Sequence, residues 1–166
     1  MGQKNGSNAV TSFLITRLPS SFMNEGFASF SFFACSHGTP GSRVALSLES
    51  PFYETSILEV GICGDNLIHA ANIASDKAAS STKRITYNTW THAAVVWDTI
   101  NSTFSLFVDG QRVANVVLNK ASEIAFVKSA QDWRLVLGRG KSSGITCNGW
   151  DGEVGGNKIL VYHRSP

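Results

Sequence analysis

Short runs of alternating apolar and polar residues are the feature that most constrains this chain of 166 residues. β-Branched and aromatic side chains recur at every second position, and Gly, Asn, Asp or Ser interrupts the runs at short intervals. A period of two is that of a β-strand, whereas an amphipathic helix needs a period of 3.6. No stretch has a convincing helical period, and the best candidate for a helical turn is residues 119–126. The sequence therefore predicts an all-β protein.

The strand pattern fits a single domain of many short strands. Asp109-Gly110 lies between two apolar runs and predicts a type I′ hairpin turn, because both central residues of that turn need positive φ. Many short strands close most simply into two packed antiparallel sheets, a sandwich or jelly roll. We expect a flexible amino terminus over 1–8 and one domain over 9–166. The predicted strands are 9–15, 27–35, 43–48, 56–63, 66–72, 83–87, 92–98, 103–108, 112–117, 133–138, 152–154 and 158–163.

Charge and hydropathy exclude several classes of protein. Charged residues make up 16% of the chain, and 14 basic against 12 acidic residues give a net charge of +2. Whole-chain disorder needs low hydrophobicity and high net charge, and nucleic-acid binding needs a concentrated basic face. No apolar run approaches the length of a membrane span, which is about 20 residues. We therefore expect neither a nucleic-acid partner nor insertion into a membrane.

The three cysteines, Cys35, Cys63 and Cys147, are far apart in the sequence. An odd number without a C-x-x-C pattern argues against a zinc site and against a dense disulfide framework. We interpret them as free thiols, with one disulfide and one free thiol as the alternative.

An ordered set of motifs fills the second half of the chain. It consists of Trp90-Thr-His-Ala-Ala-Val-Val-Trp-Asp98, Leu106-Phe-Val-Asp-Gly110, Leu135-Val-Leu-Gly138, Trp150-Asp-Gly-Glu-Val154 and Ile159-Leu-Val-Tyr-His-Arg164. Together with an early strand at 27–35, this set resembles the concanavalin A-like jelly rolls, in particular the laminin G and pentraxin-like domains. The resemblance covers residues 9–166, with one departure where Gly155-Gly156-Asn157 lengthens the link before the last strand.

The resemblance implies a structural role for several residues in these motifs. We expect Trp90, Trp97 and Trp150 to lie in the core, and His92 to be a hydrogen-bonded structural histidine. The positions of the pentraxin disulfide hold Ser31 and Ala94, so that bridge is not expected.

Pentraxin-like domains bind calcium with an acidic loop after the L-V-L-G strand, and that loop differs here. Residues 139–148 carry Arg139 and Lys141 in place of acidic ligands, and the early partner loop at 36–43 lacks a carboxylate. The resemblance therefore implies no calcium site of the pentraxin type, and we expect no cofactor. Asp65-Asn66 and Gln131-Asp132 are alternative calcium ligands, although capping of turns is the favoured role for both pairs.

The basic residues of these loops suggest a metal-free site for glycans at the sheet edge where related domains bind calcium. We expect His37, Arg43, Arg139 and Lys141 to gather there, because guanidinium and ammonium groups bind carboxylate or sulfate. Asn148 is expected to bond sugar hydroxyls, and Trp133 to stack on a sugar ring if it is exposed.

Catalytic patterns are weak in this sequence. Glucan hydrolases of the wider fold use E-x-D-x-x-E on one strand, and the chain never forms that pattern. Residues 140–144 match G-x-S-x-G, but a nucleophile elbow needs a strand–turn–helix context, and no helix is predicted there. We therefore predict that the protein is not an enzyme.

The sequence favours a non-catalytic, lectin-like carbohydrate-binding module. A protein–protein adhesion or oligomerisation module of laminin G type is the alternative, and a glycoside hydrolase is the least favoured. The expected partners are glycans or glycoproteins, anionic ones included, and a homo-oligomer is compatible with this function. The family resemblance suggests an extracellular protein, but no signal peptide is visible in the sequence, so the location stays open.

Overall fold

The computed structural model describes residues 14–18, 27–38, 43–50, 56–72, 77–98, 100–118, 132–140 and 148–162. Within these ranges the regular structure is all strand, without a helix. The strands in chain order are β1 (Leu14–Arg17), β2 (Phe27–Ser36), β3 (Arg43–Glu49), β4 (Leu58–Ile62), β5 (Leu67–Asn72), β6 (Lys77–Arg84), β7 (Trp90–Asp98), β8 (Thr103–Val108), β9 (Gln111–Val117), β10 (Arg134–Leu137), β11 (Asn148–Gly149) and β12 (Gly152–Tyr162).

The strands form two sheets that pack face to face. One sheet has seven strands, six of them in the order β1-β10-β3-β4-β5-β6, and the short β11 adds to β3. The other has five strands in the order β12-β2-β7-β8-β9. Every pairing is antiparallel except that of β11 with β3. This arrangement confirms the predicted antiparallel sandwich.

The inward-facing side chains of both sheets form one hydrophobic core. On β7 the alternation places Ala93, Val95 and Trp97 inward, and all three are buried. The facing sheet contributes Leu46 and Leu48 from β3, which are also buried. Side chains of a strand point alternately to its two faces, so the period of two in the sequence becomes one buried and one outer row.

Trp90 was expected in the core, and the structure shows otherwise. It is 48% exposed, whereas Trp97 is fully buried and Trp150 packs partly buried against the core. Trp90 and Trp97 are separated by seven positions on one strand, an odd number, so the pleat directs them to opposite faces. Trp90 consequently lies on the outer face of the five-stranded sheet.

The hairpin and the structural histidine are confirmed. Asp109 and Gly110 have φ values of 49° and 78°, the positive pair that a type I′ turn requires. The side chain of His92 hydrogen-bonds that of Ser31, with 3.0 Å between Nε2 and Oγ. Ser31 and Ala94 are direct register partners on β2 and β7.

Three strand predictions were wrong in detail. The strand expected at 83–87 is β6, and it begins earlier, at Lys77, because a run of small Ala and Ser residues alternates between the two faces there. The two strands expected at 152–154 and 158–163 are one strand, β12, whose register shifts between Gly155 and Lys158. The short strand β11 was not predicted. The helical candidate at 119–126 lies outside the described residues.

The thiols of Cys35 and Cys63 are free, as the sequence analysis favoured, and Cys147 lies outside the described residues. No helix in the described part of the chain is long and apolar enough to cross a membrane.

Candidate functional site

Three of the predicted site residues lie at one end of the sandwich, where β2 ends and β3 begins. Asn148 of β11 is the register partner of Arg43, the first residue of β3. Three residues further on, the carbonyl of Asp151 accepts a hydrogen bond of 3.1 Å from the backbone N–H of His37. The segment 148–151 therefore joins the ends of β2 and β3, and it brings the positions of His37, Arg43 and Asn148 to one edge. We call His37, Arg43 and Asn148 the edge cluster.

Arg139 follows β10 and lies over the outer face of the seven-stranded sheet, with its guanidinium directed toward Glu49, at the end of β3 opposite Arg43. Its backbone carbonyl accepts a hydrogen bond of 2.8 Å from the Ser47 hydroxyl, and its guanidinium lies 3.9 Å from the Glu49 carboxylate. The next residue is Gly140. A Cβ at this position would lie 2.4 Å from a carboxylate oxygen of Glu59, so the close approach requires glycine. The segment 139–140 thus covers two carboxylates, and Glu49 and Glu59 are only 5% and 4% exposed.

The loop that begins with Arg139 closes on itself. The backbone N–H of Trp150 donates a hydrogen bond of 2.8 Å to the carbonyl of Gly138, and that of Gly138 donates to the carbonyl of Ala45. The two ends of the loop are therefore adjacent, and Asn148 returns next to Arg43. Lys141 lies in the part of this loop that is outside the described residues.

Trp133, a predicted binding residue, lies outside the edge cluster. It is 1% exposed, and its ring belongs to the hydrophobic core. It also lies at the opposite end of the sheet, because β10 runs antiparallel to β3 and its next residue, Arg134, pairs with Glu49. Its exposure was the condition for sugar stacking, and that condition is not met.

The charges at the edge cluster do not suit a calcium ion. Calcium takes several oxygen ligands, usually carboxylates, whereas Arg43 brings a guanidinium group to this end. In the described part of the chain, no group of three or more His, Cys, Asp or Glu side chains is placed to hold a metal.

Asp65 and Asp132, the alternative calcium ligands, are both engaged in turns. Asp65 Oδ1 accepts the backbone N–H of Leu67 at 3.0 Å, and the Tyr87 hydroxyl donates to the side-chain oxygen of Asn66. Asp132 accepts a hydrogen bond of 3.1 Å from the Arg134 guanidinium. Asn66 and Asp132 both have positive φ, at 62° and 59°, as turn residues often do. The favoured interpretation of these residues, capping of turns, agrees with this geometry.

A chain of three polar side chains joins β5 to β6. The Ser80 hydroxyl lies 2.7 Å from His69 Nδ1, and His69 Nε2 lies 3.0 and 3.1 Å from the two carboxylate oxygens of Asp65. The Leu67 N–H and then the His69 side chain lower the pKa of Asp65 below its ordinary value of 3.8. Ser80 and His69 are direct register partners, so these bonds hold the outermost strand of the sheet in register.

The described residues enclose a small cavity between the sheets. A cavity of about 10 Å³ lies at the end where Trp150 packs, with Phe32, Ile62 and Ile85 among its lining residues. A volume of this size holds about one water molecule.

A group of aromatic side chains that the sequence analysis did not assign to binding lies on the outer face of the five-stranded sheet. Phe33 is 44% exposed and Trp90 is 48% exposed. His92 is the register partner of Phe33, and their ring centroids lie 4.9 Å apart. We call Phe33, Trp90 and His92 the aromatic platform. The sequence contained this information. Trp90 and His92 are two positions apart on one strand and therefore share a face, whereas Trp97 is seven positions from Trp90 and faces the other way.

A protein-family model covers most of this chain. The model of the Laminin_G_3 family, described as belonging to the concanavalin A-like lectin/glucanases superfamily, matches residues 21–165. A search of curated proteins finds no match.

Solved structures share the fold at low sequence identity. The heptameric SAP-like pentraxin of Limulus polyphemus is 13% identical, with a TM-score of 0.62 over 93% of this chain and 71% of that one. The CBM40 of the Ruminococcus gnavus IT-sialidase, bound to α2,3-sialyllactose, is 14% identical, with a TM-score of 0.62 over 83% of this chain and 76% of that one. Domains LG4-5 of the mouse laminin α1 chain are 14% identical, with a TM-score of 0.67 over 90% of this chain and 39% of that one.

Proposed function

The chain belongs to the Laminin_G_3 family of the concanavalin A-like lectin/glucanases superfamily, and from this premise we propose that it is a non-catalytic carbohydrate-binding module. In this proposal it recognises glycans, anionic ones included, at the edge cluster and without a calcium ion of the pentraxin type. Binding in such a module depends on the loops at the sheet edge, since a rigid sandwich positions them and leaves them free to vary.

The register that pairs Arg43 with Asn148 is the observation that carries the proposal. A guanidinium group donates a planar pair of hydrogen bonds to a carboxylate or sulfate, and an amide both donates to and accepts from hydroxyl groups. Arg43 and Asn148 stand at paired strand positions, and these two side-chain types match a glycan that carries acidic groups among its hydroxyls. His37, which is exposed on the adjoining segment, adds a further polar contact. The likeness to a CBM40 whose structure holds α2,3-sialyllactose is compatible with this chemistry.

The burial of Glu49 and Glu59 supports a binding module over a hydrolase. A glycoside hydrolase needs two carboxylates that face the glycosidic bond from opposite sides. Here both carboxylates lie beneath residues 139–140, and Glu49 is engaged by the Ser47 hydroxyl, 3.0 Å away. A sugar chain does not reach them in this arrangement.

A glycan array with the whole protein, with and without EDTA, tests the proposal. We expect binding of sialylated or sulfated glycans that EDTA does not abolish. Arg43→Ala should weaken this binding about tenfold or more, because a hydrogen bond to a charged group contributes about 1.5–3 kcal/mol. Arg17→Ala is the matched control, since it removes the same charge from a highly exposed residue at the opposite end of the sheet.

Three outcomes would contradict the proposal in different ways. Binding that EDTA abolishes would require a metal-dependent site. Turnover of a β-glucan would make the protein a hydrolase. The absence of any glycan signal, together with self-association in light scattering, would favour the alternative, an adhesion or oligomerisation module of laminin G type.

A further inference from the structure

The side chain of Trp90 lies across the surface of the five-stranded sheet. Trp90 is on β7 and Gly155 is on β12, with β2 between them. Nevertheless, indole atoms Cη2 and Cζ3 lie only 3.9 and 4.0 Å from the position that a Cβ on Gly155 would take. Neighbouring strands are about 4.8 Å apart, so the side chain extends over the whole width of β2. The indole therefore rests on the sheet, above Cys35, with its other side in solvent.

Phe33 leans in the same direction, and the two glycines of β12 make room for both rings. A Cβ on Gly156 would lie 2.7 Å from Cδ2 of Phe33, and the φ of Gly156 is +62°. Gly155-Gly156 stands at the register shift of β12, which is where this sequence departs from the family pattern. These two glycines, which have no side chains, therefore lie beside the half-exposed rings of Trp90 and Phe33.

The surface of the platform suits a small ring better than a second protein. A fully buried Trp or Phe covers about 150–250 Å², so two half-exposed rings offer on the order of 200 Å². A stable protein interface needs about 800 Å² from each partner. The other exposed apolar side chains described on this sheet, Ile100 and Val117, lie near its opposite end, where Thr103 pairs with Val117. They do not extend the patch.

Two exposed carboxylates, those of Glu153 and Asp109, lie beside the platform. Glu153 pairs in register with Cys35 and is exposed, and Asp109 is exposed where its carboxylate accepts the backbone N–H of His92 at 3.0 Å. Carboxylates accept hydrogen bonds from hydroxyl groups and repel an anion. This charge distinguishes the platform from the edge cluster with its guanidinium group.

We propose that the aromatic platform is a second carbohydrate site, which binds a neutral hexopyranose through ring stacking. One face of such a sugar presents C–H groups, which pack on the exposed side of Trp90 and Phe33. Its rim hydroxyls donate hydrogen bonds to Glu153 and Asp109. The site is independent of the edge cluster, and each site can fail without the other.

Titration of the whole protein with cellohexaose, laminarihexaose and mannohexaose tests the second site. Intrinsic fluorescence is a suitable readout, because Trp97 and Trp133 are buried and Trp90 is the most exposed described tryptophan. We expect at least one of these sugars to change the emission and to release heat in calorimetry, with a dissociation constant on the order of 1 mM or below. Trp90→Ala should weaken this binding about tenfold or more, and Trp90→Phe should retain part of it.

Val117→Ala is the matched control, an exposed apolar residue on the same sheet, and it should bind as the wild type does. Equal thermal midpoints of the variants would show that the fold is intact. The proposal is overturned if none of the three sugars binds, or if Trp90→Ala binds them as tightly as the wild type. It is also overturned if the platform mediates self-association, seen as a dimer in light scattering that Trp90→Ala removes. Retention of anionic glycan binding by Trp90→Ala, and its loss in Arg43→Ala, would separate the two sites.

Discussion

At the scale of single residues, the bonds of Asp65 show how a short turn acquires a defined geometry. Its carboxylate accepts the N–H of Leu67 two residues later and the ring N–H of His69 four residues later. The other ring nitrogen of His69 shares a hydrogen bond with the hydroxyl of Ser80 on the neighbouring strand. The charge of one exposed carboxylate therefore supports both the turn and the pairing of β5 with β6.

Asp65→Asn should lower the stability of the protein only at pH values at which the Asp65 carboxyl is ionised. The pKa of Asp65 is lowered on folding, by the Leu67 N–H first and by His69 second. Its contribution to stability is therefore fully present above the unfolded value of about 3.8, and it is lost as the pH falls through the lower folded value. We expect wild type to exceed Asp65→Asn in stability at pH 5, and this difference to shrink between pH 4 and pH 2.

Urea denaturation at a series of pH values measures this difference. We expect a small effect, because Asp65 is exposed and solvent screens its charge. A difference between wild type and Asp65→Asn that stayed constant down to pH 2 would show that the charge of Asp65 does not stabilise the fold.

At the scale of the elements, close contact between strands explains which turn and strand positions need glycine. On β4, a Cβ on Gly61 would lie 1.9 Å from the backbone oxygen of Arg43, at the register shift between β3 and β4. At the hairpin between β8 and β9, Gly110 has open space around it, but its φ is +78°. Gly61 is required because the neighbouring strand leaves no space for a Cβ. Gly110 is required because its backbone has a positive φ.

These two glycines should therefore respond differently to alanine. Gly110→Ala should cost about 1–2 kcal/mol, the strain of a left-handed conformation for a residue with a Cβ. Gly61→Ala should cost about 3 kcal/mol or more, because the backbone of β3 has to move away from β4. Free energies of unfolding of the two variants test this order, and equal values would contradict it.

At the scale of the whole molecule, the two sheets divide the aromatic residues between structure and surface. Trp97 and Trp133 fill the space between the sheets, whereas Trp90 lies on the outer face of the five-stranded sheet. The edge cluster at the end of the sandwich joins segments that are about a hundred residues apart in the chain, Arg43 and Asn148. The rigid core is therefore the scaffold for two surfaces of different charge.

Trp133 should accordingly behave as a core residue. Trp133→Ala is expected to destabilise the protein by about 3–5 kcal/mol, the usual cost of removing a large buried aromatic side chain. At a temperature where the variant is still folded, its glycan binding should equal that of the wild type. Unchanged stability with loss of glycan binding would contradict the buried position of this ring.

The sequence alone determined the fold, most strand positions and the hairpin turn, because these depend on local periodicity and on residues such as Asp109-Gly110 that restrict φ. It also predicted that His37, Arg43, Arg139 and Lys141 gather at one edge; the register brings the segments of His37 and Arg43 together, and their role in binding stays a prediction. The tertiary structure alone decided which side of each strand is covered. The burial of Trp133 depends on the facing sheet, which no local pattern contains. Local parity places Trp90 on the face opposite to Trp97, but its exposure there also depends on residues of a distant strand, such as Gly155.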